Sequence, residues 1–288
     1  MRALFLEVGG IMFVIKEKYS HDNKKFNIYT HKLSFEELEN NISELLFKDS
    51  ILNYLFNGLM IKKIKDKRKK LCMLRRFIPS EFYYREKEVL DNWDNNKKII
   101  LDVFNNNNSY YSFYAEALMA YLNMKYLNQN LTFGVISLKD TLTDQHTGVD
   151  SCMFCDTDII LGEAKFYKNF NDARDKIIND FNDKSLLSKI NSLYTNYTQS
   201  KIVFKCVGST ESQITFDEFK KKNITLCGFI LHNKKTTYDY TSISNVNCLD
   251  KLENNNIVFY HLPINSKIDL IYKIIKKALE LIVVYETK

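Results

Sequence analysis

Between Gly148 and Tyr167 the chain carries two runs rich in β-branched, aromatic and sulfur-bearing residues around the cluster Asp156-Thr157-Asp158. That pattern predicts a β-hairpin, and it constrains the fold more than any other stretch. A tight turn centred on Asp156 and Thr157 fixes the register. Cys155 then opposes Asp158, Phe154 opposes Ile159, and Cys152 opposes Leu161. Continued outward, the same ladder sets Asp150 against Glu163 and Gly148 against Lys165. Side chains alternate along a strand, so Asp150, Glu163 and Lys165 share one face. Opposed Cβ atoms lie roughly 4.5–5.5 Å apart. A three-residue loop would shift this register, so the geometry belongs to the two-residue turn.

Two carboxylates at that separation repel unless a cation sits between them. They offer hard oxygen ligands to Mg²⁺ or Mn²⁺, which takes its remaining contacts from water and phosphate. A metal-bound water and a neighbouring lysine suit hydrolysis of a phosphodiester. The plainer reading leaves Asp150 and Lys165 to solubilise an exposed sheet face. Asp150 followed by Glu163-Ala164-Lys165 resembles the PD-(D/E)xK nuclease motif, without the proline before the first acid. Gly148-Val149-Asp150 together with Leu161-Gly162-Glu163-Ala164-Lys165-Phe166-Tyr167 is similar to the HamA family, the nuclease subunits of Hachiman anti-phage systems. The similarity is specific over about residues 110–190.

The resemblance implies an α/β (α+β mixed) fold with a restriction-endonuclease-like core. It implies Asp150, Glu163 and Lys165 as catalytic residues, with Asp150 and Glu163 binding Mg²⁺ or Mn²⁺. The substrate it implies is DNA, and the partner is a superfamily 2 helicase of the HamB type that restrains the nuclease. Two alternatives stay open: an RNA-cleaving nuclease, or a catalytically silent module that binds nucleic acid or anchors a helicase.

At 288 residues the chain is long enough for one large domain or two modest ones. Hydrophobic residues make up 45% and only two prolines occur, so a folded chain without a long linker is expected. A formal charge of +6 is compatible with a phosphate-backbone partner without requiring one. Cys152 and Cys155 are spaced like zinc ligands, but no second pair follows, and on a strand they face opposite ways. Core thiols in a reducing cytoplasm fit better. The apolar run from Ala3 to Ile15 is interrupted by Glu7 and does not read as a signal peptide. No stretch reaches the roughly 18 apolar residues of a membrane helix. No nucleotide-binding motif is present, so ATP-driven work falls to a partner.

Along the chain, residues 3–15, with a Gly9-Gly10 break, read as a strand or a hairpin, and Phe26–Lys32 as a strand. Ser34 and Glu37 form a capping box ahead of a helix through Leu46, and a second helical pattern starts near Asp49. Lys62 to Arg76 is the strongest charge run. It admits a solvated helix face, a nucleic-acid track or a partner-docking surface, with Lys67, Arg68, Lys69 and Lys70 as the contacts. Pro79–Trp93 reads as a helix opened by Pro79, and Lys97–Phe104 as a strand. A boundary near residue 100 separates an N-terminal α+β accessory region (1–100) from a nuclease-like core (101–288). Tyr110–Leu127 carries a helical stripe, with Glu116 at its edge. That residue is either a third metal ligand or a partly exposed helix glutamate. His146 precedes the first acidic strand; it is placed to approach phosphate, but a structural hydrogen bond is the plainer reading. Strands at Leu131–Leu138, Lys201–Val207, Ile224–His232 and Ile257–His261 follow, with helices over Phe170–Ile190, near Phe216–Lys222, and after Asn265 as cap. Helix, three strands, helix, strand is the order a restriction-endonuclease-like core requires.

Overall fold

A run such as Ile224-Thr225-Leu226-Cys227-Gly228-Phe229-Ile230-Leu231 has no polar face, so it must be covered on both sides. It forms the buried strand Asn223–Asn233, at the heart of a seven-stranded mixed sheet. The structure, a computed structural model, describes residues 13–23, 26–35, 43, 45–57, 63–106, 109–122, 133–135, 151–154, 158–182, 223–233, 237–245 and 255–287. In chain order the strands are β1 (Phe13–Asn23), β2 (Phe26–Phe35), β3 (Phe133–Val135), β4 (Ser151–Phe154), β5 (Asp158–Phe166), β6 (Asn223–Asn233) and β7 (Asn255–Ile264). The helices are α1 (Asp49–Asn57), α2 (Lys67–Arg75), α3 (Glu86–Asp91), α4 (Trp93–Asn106), α5 (Ser109–Leu122), α6 (Phe170–Asn182) and α7 (Lys267–Thr287).

The sheet order is β1-β2-β7-β6-β5-β4-β3. Its centre, β2-β7-β6-β5, is parallel, and antiparallel pairs close it on both sides. One face carries Ala164, Phe166, Cys227, Phe229, Leu231, Tyr260 and Leu262, in one core with residues of α1 to α5 and α7. The other face carries Leu161, Glu163, Lys165, Leu226, Ile230 and Phe259, and α6 lies against β5 and β6 there through its own buried Ile177 and Phe181. Gly228 sits beside Glu163 in the register. A Cβ on Gly228 would stand 2.7 Å from the Phe259 ring, so only glycine lets that ring lie flat across β6.

Residues on both sides of position 100 share this sheet and this core. β2 hydrogen-bonds along β7, and the Phe77 ring packs edge-on against Phe47, Phe56 and Phe113. The Tyr114 hydroxyl donates to the Phe77 carbonyl at 2.9 Å.

Several sequence expectations change. Lys97–Phe104 is part of α4, not a strand: Ile100 and Phe104 are buried one turn apart, while Ile99 and Leu101 are 44% and 36% exposed. Pro79–Trp93 is not one helix. Pro79 is extended (ψ 142°) before a 3₁₀ turn, Ser80–Phe82, and Tyr84 has a positive φ of 64°, which stops a right-handed helix until Glu86. Asn265 does not cap α7; the Ser266 hydroxyl accepts from the Asp269 amide at 3.2 Å. Ser34 belongs to β2, and the rest of the expected capping box lies outside the described residues. So do Lys201–Val207 and Phe216–Lys222. No described helix is long and apolar enough to cross a membrane.

Candidate active site

The ladder between β4 and β5 pairs Phe154 with Ile159, Cys152 with Leu161 and Ser151 with Gly162. This is the register that a turn at Asp156 and Thr157 dictates. On β5, Glu163 and Lys165 therefore point the same way, and the Lys165 Nζ lies 3.2 Å from Glu163 Oε2. Glu163 is only 4% exposed. A carboxylate so far out of water needs a cation, and the lysine two residues on supplies it. Asp150 and His146 lie outside the described residues.

Lys165 has a second acidic partner that the sequence did not reveal. Asp180, on α6, approaches its Nζ to 3.0 Å and also pairs with Lys176 at 3.2 Å. Lys176 and Asp180 stand at i and i+4, a spacing that reads as an ordinary surface pair. Only the packing of α6 over β5 turns the carboxylate inward. Lys165 is thus held between Glu163 and Asp180.

Glu116 is buried at 3% in α5, which packs on β5. Every residue from Phe113 to Met119 is buried, so the partly exposed reading of this glutamate does not hold. α5 meets the face of β5 that carries Phe166, whose ring lies 5.2 Å from that of Tyr111. α5 thus covers β5 from the layer opposite α6. Among the described residues no group of three or more His, Cys, Asp or Glu is placed to hold a metal ion. No protein-family model and no curated protein matches this chain.

Two further arrangements fix the frame of β5 and α6. Lys267 Nζ donates to the Phe166 carbonyl at 2.8 Å and lies over the Phe166 and Tyr111 rings. Burial lowers its pKa to about 8. At the far ends of β6 and β7, on the Lys165 face, His232 and His261 form a buried chain. His232 Nδ1–H donates to the Asn233 carbonyl (2.8 Å), which leaves Nε2 to accept from His261 Nδ1–H (2.9 Å). His261 Nε2 then accepts from the Tyr240 hydroxyl at 3.0 Å. Burial lowers the His232 pKa to about 4, and burial with the neighbouring His232 and Lys32 lowers that of His261 to about 2, so both rings are neutral. Phe170, the first residue of α6, packs against both imidazoles and against Tyr238 and Tyr240. Arg174 pairs with Asp239 at 3.1 Å, and Asn182 donates to the Asn245 carbonyl at 3.0 Å. The segment 237–245 therefore straps α6, and with it Asp180, onto the sheet.

The basic tract is split. Lys67, Arg68 and Lys69 are exposed on α2. Lys70 is buried, ion-paired to Asp49 and bonded to the Tyr285 hydroxyl, so it is an internal tie and not a contact residue. Burial works against its charge, but the bonds to Asp49 and Tyr285 outweigh that and raise its pKa.

Proposed function

We propose that this chain is a nuclease that hydrolyses DNA phosphodiester bonds with Mg²⁺ or Mn²⁺, and that it serves anti-phage defence beside a helicase, as the HamA resemblance implies. The observation that carries this reading is the buried Glu163–Lys165 pair on a strand whose register against β4 is described up to Ser151 and Gly162. The position of Asp150 opposite Glu163 is the expectation of the sequence register, which this reading adopts. The order α5, β3, β4, β5, α6, β6 supports it as well, being helix, three strands, helix and strand. The Glu163 carboxylate is a hard oxygen donor of the kind a divalent cation takes.

In this reading Glu163 and Asp150 are the metal ligands. A divalent ion held there would supply a water of lowered pKa and a counter-charge for the phosphate. Lys165 offers its ammonium to the phosphate oxygens as negative charge develops, an interaction worth most in a site screened from water. Asp180, 3.0 Å from the Lys165 Nζ, would hold the lysine in place if Glu163 served as a metal ligand, and so acts as a positioning residue that does not bind substrate. Glu116 stands in the layer on the other side of β5, so in this reading it tunes metal binding through the packing of that strand and is not a ligand on the Glu163 face.

The test is degradation of duplex DNA by the purified chain, alone and with a helicase partner, in Mg²⁺ or Mn²⁺. Asp150→Ala, Glu163→Ala and Lys165→Ala should each abolish cleavage with the circular dichroism unchanged. Glu116→Gln should weaken it most at low Mg²⁺. Full activity of Glu163→Ala would overturn the assignment.

A further inference from the structure

The surface formed by α2 and the turn after it has a composition that neither the site on β5 nor the core uses. From Lys63 to Arg85 the cations are Lys63, Lys65, Lys67, Arg68, Lys69, Lys70, Arg75, Arg76 and Arg85, against two acids, Asp66 and Glu81. Lys70 and Arg75 are spent on internal ties. Asp66 is spent as well: its carboxylate caps α2, accepting from the Arg68 and Lys69 amides at 2.8 and 3.3 Å. Lys63, Lys65, Lys67, Arg68 and Lys69 are left exposed, and they form no ion pair among the described residues.

At the other end of α2, about 10 Å along the helix axis from Arg68, stands Tyr84. It is 82% exposed and holds a left-handed backbone, φ 64°, the one non-glycine residue with positive φ among those described. A bulky residue takes that conformation only where the surroundings impose it. One face of its ring is backed by the Arg75 guanidinium, 4.4 Å from the centroid. The edge of that guanidinium is anchored on Glu86, with Arg75 Nε to Oε1 at 2.6 Å, and on Glu286. The ring is therefore a braced shelf projecting from the surface.

We propose that this surface binds single-stranded nucleic acid, with Lys67, Arg68 and Lys69 on backbone phosphates and a base stacked on Tyr84. Cations without acidic partners match a polyanion. An aromatic shelf matches bases, which offer their faces only when unpaired. A protein interface would centre Tyr84 in an apolar, charge-depleted patch. Instead its exposed neighbours are Glu81, Arg85, Lys87 and Glu88. The proposal stands apart from the chemistry at Glu163 and is tested without it.

The experiment measures fluorescence anisotropy of a labelled oligothymidylate with the full chain in EDTA, so cleavage plays no part, across a salt series. Lys67→Gln with Lys69→Gln should lower the slope of log affinity against log salt by about 1.4, at roughly 0.7 per phosphate contact on a single strand. Removing two charges elsewhere, with Lys98→Gln and Lys276→Gln, both exposed on α4 and α7, should leave the slope unchanged. Tyr84→Ala should weaken binding about 5- to 150-fold with the slope intact, and Tyr84→Phe should retain it. Equal losses from both lysine pairs, or full affinity in Tyr84→Ala, would overturn the proposal. So would duplex binding tighter than single-strand binding and insensitive to Tyr84, or equal competition by polyglutamate, which marks an acidic protein partner.

Discussion

Lys165 lies 3.2 Å from one carboxylate and 3.0 Å from another, and the two have different fates in the proposed chemistry. In that proposal Glu163 would serve as a metal ligand, and Asp180 would not. Asp180→Asn should therefore lower the turnover rate about 10- to 100-fold, the usual penalty for losing a supporting partner of a metal site, while KM for DNA changes little. Asp180→Glu should recover part of the loss, and an unchanged rate in Asp180→Asn would remove its positioning role. The histidine chain gives a second prediction at this scale. His232 and His261 titrate below the ordinary histidine range when folded. Below pH 6.5 the unfolded chain then binds more protons than the folded one, so stability falls as pH falls and is fully present above 6.5. Between pH 6.5 and 5, above most carboxylate titration, the slope should approach about 1.4 kcal/mol per pH unit for each ring. Urea midpoints across that window measure it, and His261→Asn should flatten the slope.

Among the elements, β6 shows most clearly how the sheet constrains the site. Gly228→Ala must push aside the Phe259 ring, which meets Phe181 of α6 edge-on at 6.4 Å. Overpacking of this kind destabilises by about 1–3 kcal/mol. Thermal unfolding should show that loss, and cleavage should fall with it because α6 carries Asp180. The hairpin register could be read from sequence because one short turn determines every pairing in it. β6, β7 and α7 could be read because their apolar periods are unbroken. The Ile99-Ile100-Leu101-Asp102-Val103-Phe104 run misled because β-branched residues and a dense apolar string suit a strand. Which of them are buried is settled by the neighbouring helices: Phe104 meets the Tyr111 and Tyr114 rings of α5, and the Tyr272 hydroxyl of α7 donates to the Lys97 carbonyl at 3.0 Å. Asp180, Lys70 and the strap at 237–245 were illegible for a shared reason. Each acquires its role from residues distant in sequence: 15 positions for Asp180 with Lys165, and 215 for Lys70 with Tyr285.

Across the whole molecule, ionic ties join the N-terminal helices to α7. Arg75 bridges Glu86 and Glu286, while Lys70 bridges Asp49 and Tyr285. Glu86 is almost fully buried, so Glu86→Gln leaves Arg75 short of a partner and should cost about 3 kcal/mol, visible as a lower urea midpoint. A midpoint unchanged in that variant would show the tie to be dispensable. These ties, with β2 running along β7, have a consequence for how the protein is made. At about 5–20 residues per second, the ribosome finishes Ile264 roughly 10–45 s after Phe35. Throughout that interval β2 lacks its parallel neighbour β7, so a β1–β2 hairpin formed early would leave the β2 edge open to foreign strands. β6 and the strap over α6 also emerge late, so a nascent chain carries Glu163 and Lys165 for some time before anything fixes their geometry. Synthesis order thus delays the proposed cutting site until the sheet is complete, at the price of an exposed strand edge while the chain grows.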